Sequence, residues 1–282
     1  MNAFGAAPGY RATATLPLRV ELVRQLRRRR TVLTLGFLAL LPFVLLIAFT
    51  VGRDTRSRRD PTLVDFATAS GLNFVVFAIF STSGFLLVLV VALFFGDTMA
   101  SEASWSTLRY LLAAPVPRGR LLRHKAVVAA LLSVSALVLL PAVALAVGVL
   151  AYGFGDLVSP TGQSLDFATA AGKLALAPVY LTVHLAWVAG LALLLSVSTD
   201  APLGAVGGAV MASILSQILE SIETLGDLRD YLPTRFNTAW ADLLSSPIDW
   251  GHLASGAFSS LAYATVFGLA AHYHFATKDV TS

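Results

Sequence analysis

The chain has 282 residues, of which 56% are hydrophobic and 13% charged, with a mean hydropathy of +0.76. A soluble domain carries about 25% charged residues, so this surface is too poor in charge for water and is read as covered mostly by lipid. The net charge of +4 and pI near 9.6 would suit nucleic acid, but the basic residues sit beside apolar runs, where they act as anchors and topology signals; nucleic-acid binding is set aside. There are no cysteines, which excludes disulfides, thiolate-ligated metals and thiol nucleophiles.

In chain order, residues 16–30 come first. Leu16, Leu18, Val20, Leu22, Val23 and Leu26 share one half of a helical wheel, and Glu21, Arg24, Gln25 and Arg27 the other. This predicts an interfacial helix whose basic residues, with the run Arg27, Arg28, Arg29 and Arg30, face anionic head groups. The apolar run after them is too long for a signal peptide and lacks a cleavage site.

About 20 apolar residues cross a bilayer, and six segments qualify: roughly 31–51, 73–95, 126–154, 168–197, 201–222 and 253–273. Pro141 and Pro178 fall inside the third and fourth and predict kinks. Between spans two and three, residues 96–125 carry Trp105, Leu108, Leu111 and Leu112 at helical spacing, stopped by Pro115 and Pro117. That amphipathic helix fits a membrane surface or a groove on a partner protein. Residues 223–251, before span six, are too apolar for a solvated loop and too broken for a span, so they are expected as short helices dipping into the outer leaflet or capping a cavity. Six crossings put both termini on one side. Thirteen of the twenty Lys and Arg residues then share that side, so it is assigned to the cytoplasm. The expected fold is an all-α membrane protein in a single domain over 1–282, in the inner (plasma) membrane.

The run Gly96-Asp97-Thr98-Met99-Ala100-Ser101-Glu102, then Ser106-Thr107-Leu108-Arg109-Tyr110-Leu111-Leu112-Ala113-Ala114-Pro115-Val116-Pro117-Arg118 and Lys125, resembles the cytoplasmic signature of ABC type-2 permeases. Ser106 stands where that family usually has Gly. The ending Phe275-Ala276-Thr277-Lys278-Asp279-Val280 is similar to the family's tail. The resemblance implies a permease subunit of an ATP-binding-cassette exporter, paired with a second permease copy or a related permease and with two ATPase subunits that bind ATP and Mg. It implies ATPase coupling through Glu102, Trp105, Thr107, Leu108, Leu111, Leu112 and Arg118, and a dimer contact at spans one and five. Gly204, Gly208, Ala212 and Ser216 recur every four residues in span five as a ridge of small side chains, suited to close packing in lipid, within the chain or between copies.

The residues agree with an outside energy source. No Gly-x-x-x-x-Gly-Lys-Ser/Thr loop occurs, so this chain has no phosphate cradle of that kind. Charges inside the spans are nearly absent, which counts against proton coupling. His184 is the one titratable residue well inside a span and reads as a hydrogen-bonded structural residue. His272 and His274 lack an obvious third metal ligand. A membrane-embedded enzyme or a non-transporting scaffold is the alternative; the four aspartates 227, 230, 242 and 249 read as solvated polar faces. The expected cargo is a hydrophobic or amphipathic compound.

Overall fold

The computed structural model describes residues 17–54, 63–104, 117–158 and 164–277. The described chain is helical apart from a two-strand hairpin, Leu157–Val158 (β1) against Ser164–Leu165 (β2). Six helical stretches in it are long and apolar enough to cross a membrane, as expected of an all-α membrane protein.

Span one is α2 (Arg29–Asp54), preceded by the short helix α1 (Leu18–Leu26); α3 (Leu63–Ala67) follows it. Span two is two stacked helices, α4 (Gly71–Ser83) and α5 (Leu86–Ser104), and span three is the single 35-residue helix α6 (Arg118–Tyr152). At 1.5 Å per residue α6 is about 50 Å long, well beyond a 30 Å hydrocarbon core. Span four is broken into α7 (Phe167–Leu174), α8 (Ala177–His184) and α9 (Ala186–Ser198). Span five is α10 (Pro202–Glu220) and span six is α11 (Trp250–Thr277), with 3-10 segments Glu223–Tyr231 and Ala239–Leu244 between them.

The breaks have local causes. Pro178 opens α8, so the chain turns just before it and the expected kink falls at residues 175–176. Span two breaks at Gly84, and the Gln217 side chain of α10 donates to the freed Gly84 carbonyl at 2.8 Å. In lipid no water is present to do this, so a neighbouring helix must. Pro141, by contrast, stays inside continuous α6.

Two crossings bring backbones into direct contact. A Cβ on Gly148 would lie 2.8 Å from the Gly71 carbonyl oxygen, and one on Gly190 would lie 3.0 Å from the Ala264 carbonyl oxygen. Small residues allow α4 to approach α6, and α9 to approach α11, as closely as lipid-embedded packing favours. The buried core runs through α4, α5, α6, α8 and α9. α2 and α11 are the least covered spans, with apolar side chains such as Leu33, Ile47, Phe258 and Leu269 turned outward.

Both described ends of the chain sit at one end of the bundle: Lys125 at the start of α6 meets Glu21 of α1, and Arg118 donates to the Ala276 carbonyl of α11. The opposite end holds the hairpin and the 3-10 segments. There the Asn73 side chain donates to the Val158 carbonyl and accepts from its amide, which ties the hairpin to the start of span two. Trp240 is fully buried rather than placed at a head-group level, whereas Tyr231 and Trp250 are exposed.

Candidate functional site

α5 does not end where the apolar run ends. It continues past Phe95 through Gly96 to Ser104, and residues 96–102 are all buried. Asp97 and Glu102 therefore lie inside the protein, where a carboxylate is stable only with partners. Three other pieces of chain supply them. Lys125 Nζ lies 2.8 Å from Glu102 Oε1 and 3.3 Å from Glu21 Oε1. Arg24 reaches Glu102 at 2.7 Å and Glu21 at 2.9 Å. Arg28 spans Asp97 at 3.2 Å and Glu102 at 3.5 Å, and Arg30 pairs with Asp97. Four cations thus face three carboxylates across α1, the start of α2, the end of α5 and the start of α6. The Lys125 side chain is only 3% exposed and that of Glu102 6%, so this pair is interior, while Arg24 and Arg30 reach the surface from the rim of the cluster.

The cluster explains how α1 is oriented. Glu21, Arg24 and Gln25 fall at i, i+3 and i+4 of α1 and share one face. Glu21 is buried at the centre of that face and accepts from Gln25 at 3.2 Å, while Val20, Val23 and Leu26 are exposed. The polar stripe turns toward the other helices, and the apolar residues divide: Val20, Val23 and Leu26 turn away while Leu18 and Leu22 pack against the core. Burial raises the Glu21 carboxyl, but the Lys125 ammonium and the Arg24 guanidinium outweigh it and hold its pKa below the ordinary value.

A second polar lock sits one turn into the bundle. The Ser196 hydroxyl of α9 accepts from the backbone amides of Met99 at 3.0 Å and Ala100 at 3.1 Å, and lies 3.4 Å from the Thr98 hydroxyl. Gly96 lets Val206 of α10 close on α5: a Cβ there would meet Val206 Cγ2 at 2.9 Å. The end of α5 is held by α1, α2 and α6 through charge, and by α9 and α10 through hydroxyl bonding and close packing.

Of the coupling residues expected from sequence, Glu102 lies in the cluster and Arg118 at the start of α6 bonds Ala276. Trp105, Thr107, Leu108, Leu111 and Leu112 lie outside the described residues. The arginines expected at head groups divide: Arg24, Arg28 and Arg30 turn to carboxylates of the chain itself, whereas Arg27 and Arg29 are exposed. The small-residue ridge of span five also divides. Gly204 and Gly208 are exposed and Ala212 is half-buried, but Ser216 is buried and bonded to Thr234 at 2.7 Å. His184 is buried, within 3.2 Å of the Ser260 hydroxyl and stacked on Tyr180, a structural placement. No group of three or more metal-ligating side chains occurs among the described residues.

Sequence reasoning missed Glu21, Asp97 and Lys125 as members of one site. The available signal was two acids just beyond one apolar run and a lysine just before the next. In an antiparallel pair of spans those positions fall at the same level.

The described residues form a bundle with six helical stretches able to cross a membrane and a polar, ion-paired cluster at one end. The family described as ABC-2 family transporter protein matches residues 18–199, and the chain belongs to that family. The match takes in α1 through α9, and so the whole ion cluster, and leaves α10 and α11 outside it. No curated protein matches the chain.

Proposed function

We propose that this chain is the membrane-spanning subunit of an ATP-driven exporter, working as a pair of permeases and taking its energy from a separate ATP-binding-cassette subunit on each copy. The observation that carries this reading is the buried ion cluster. It ties Asp97 and Glu102, just before the 105–116 stretch, and Lys125, soon after it, to Glu21, Arg24, Arg28 and Arg30, and the sequence of that stretch resembles the segment that engages the ATPase in this family. Pulling apart a buried ion pair strands a charge and costs about 3–5 kcal/mol. A push on 105–116 is therefore passed to α1, α2, α5 and α6 together rather than absorbed by bending one helix. ATP and Mg belong to the partner chain.

In this reading the cluster end faces the cytoplasm, as the Lys and Arg bias requires, and Arg27 and Arg29 meet anionic head groups. The exposed Gly204 and Gly208 of α10, together with the largely uncovered α2, offer the surface for the second permease. The cargo is a hydrophobic or amphipathic compound, in keeping with spans whose polar residues are mostly Ser and Thr.

The test is reconstitution in proteoliposomes with the ATPase that copurifies. E102Q is expected to keep ATP hydrolysis but lose most transport of an amphipathic dye. The charge-keeping variant E102D should retain more transport than E102Q. Transport by E102Q at the wild-type rate, or ATP hydrolysis by the purified chain alone, would count against the proposal.

A further inference from the structure

At the end of the bundle opposite the ion cluster, an open groove of about 740 Å³ runs between the first 3-10 segment and α11. Its roof comes from residues 230–236 and its floor from one face of α11, where His252, Ser255 and Ser259 recur at i, i+3 and i+7. Ser255 is exposed and Ser259 half-exposed, on a helix otherwise rich in outward apolar side chains.

The two serines differ from most other hydroxyls turned outward on the spans, half-exposed Thr34 of α2 being like them. Ser81, Ser135, Ser198 and Thr265 each donate to the carbonyl four residues earlier, at 2.7–2.8 Å. This is how a hydroxyl is satisfied where lipid is the solvent. Neither Ser255 nor Ser259 makes such a bond among the described residues. A polar stripe left open on a spanning helix is costly against hydrocarbon and is suited to the wall of a ligand site.

Aromatic rings and charge set the ligand's chemistry. Tyr231, Phe236, Phe258 and Tyr263 line the groove, and the Tyr263 hydroxyl donates to the Tyr231 carbonyl at 2.7 Å, pinning roof to floor. Arg235 lines it too, but its charge is met by Asp230 at 3.1 Å and Glu220 at 3.9 Å. Asp230 remains largely exposed. Across residues 220–249 six carboxylates stand against two arginines and against Lys173 of α7, whose ammonium donates to the Ser245 carbonyl, so the local field favours a cation, and aromatic faces bind alkylammonium groups.

We infer that this groove binds an amphipathic organic cation, its ammonium among the Tyr231, Phe258 and Tyr263 rings near Asp230 and its tail along the Ser255–Ala262 face of α11. The inference stands apart from the transport reading, because binding is measured on this chain without an ATPase.

The experiment uses the full chain in phosphatidylcholine nanodiscs. Three probes share one dansyl-labelled alkyl chain and end in trimethylammonium, in sulfate or in an uncharged sugar. The ammonium probe is expected to bind at least tenfold tighter than the other two. D230N and the doubly substituted S255L/S259L should each weaken it fivefold or more. A benzophenone version of the ammonium probe, used on the unaltered chain, should label peptides from residues 230–236 and from α11. Equal affinity for the three head groups, undiminished binding by S255L/S259L, or photolabelling spread over α2 and α10 would overturn the inference.

Discussion

Glu102 and Lys125 are each buried almost completely, and each is tolerable there only because of the other and of the side chains around them. Removing one partner should therefore cost far more than removing both. K125M is expected to lower unfolding stability by about 3–5 kcal/mol, whereas K125M/E102L should recover a large part of that loss. Thermal unfolding in detergent checks both, and equal losses for the single and double variants would contradict the arrangement. Glu21 gives a pH signature. Its pKa is depressed in the folded chain from the usual 4.5, so its contribution is complete above that value and disappears as pH falls through the lower, folded one. The stability gap between the unaltered chain and E21Q should be constant from pH 5 upward and shrink in more acidic buffer. A gap that narrows on alkalinisation instead would assign Glu21 the wrong partners.

At the scale of elements, the glycines separate packing from propensity. A methyl group on Gly148 would strike the Gly71 carbonyl, which is backbone and has little freedom to yield, while one on Gly172 meets nothing within 4 Å. G148A is expected to destabilise by about 1–3 kcal/mol as α4 and α6 are pried apart. G172A, inside α7, should be neutral or stabilise by up to about 1 kcal/mol, since Ala favours helix. Melting temperatures of the two variants check this, and similar values would mean that α4 and α6 do not cross closely. The spans themselves were legible because 20-residue apolar runs have few alternatives in lipid. Their ends were not. α5 runs nine residues past Phe95 and α6 starts eight before Ala126, because buried ion pairs let helices continue through charged sequence that hydropathy reads as a loop. The stripe of α1 was legible, but not its direction: a wheel shows that Glu21, Arg24 and Gln25 share a face, yet not that carboxylates from α5 and a lysine from α6 stand opposite. Asp97 was visible only as one letter of a family signature.

On the scale of the whole molecule, the ion cluster, the Ser196 lock and the Gly96–Val206 contact gather the ends of five spans at one level. The opposite end is held by a hairpin and short 3-10 segments. Grooves open at both ends, about 740 Å³ beside the start of α11 and about 350 Å³ beside the start of α6; in the proposed mechanism the braced end is the one a partner ATPase pushes. The absence of native cysteine makes that claim directly accessible. The decisive measurement is benzophenone-maleimide crosslinking from L108C in native membranes. The account predicts an adduct with an ATP-binding-cassette subunit whose yield changes when ATP is trapped, and labelling by impermeant reagent from the cytoplasmic side. A cysteine at 108 that reacts readily from the outer side, or that reacts from the cytoplasm and never captures such a subunit, would contradict it.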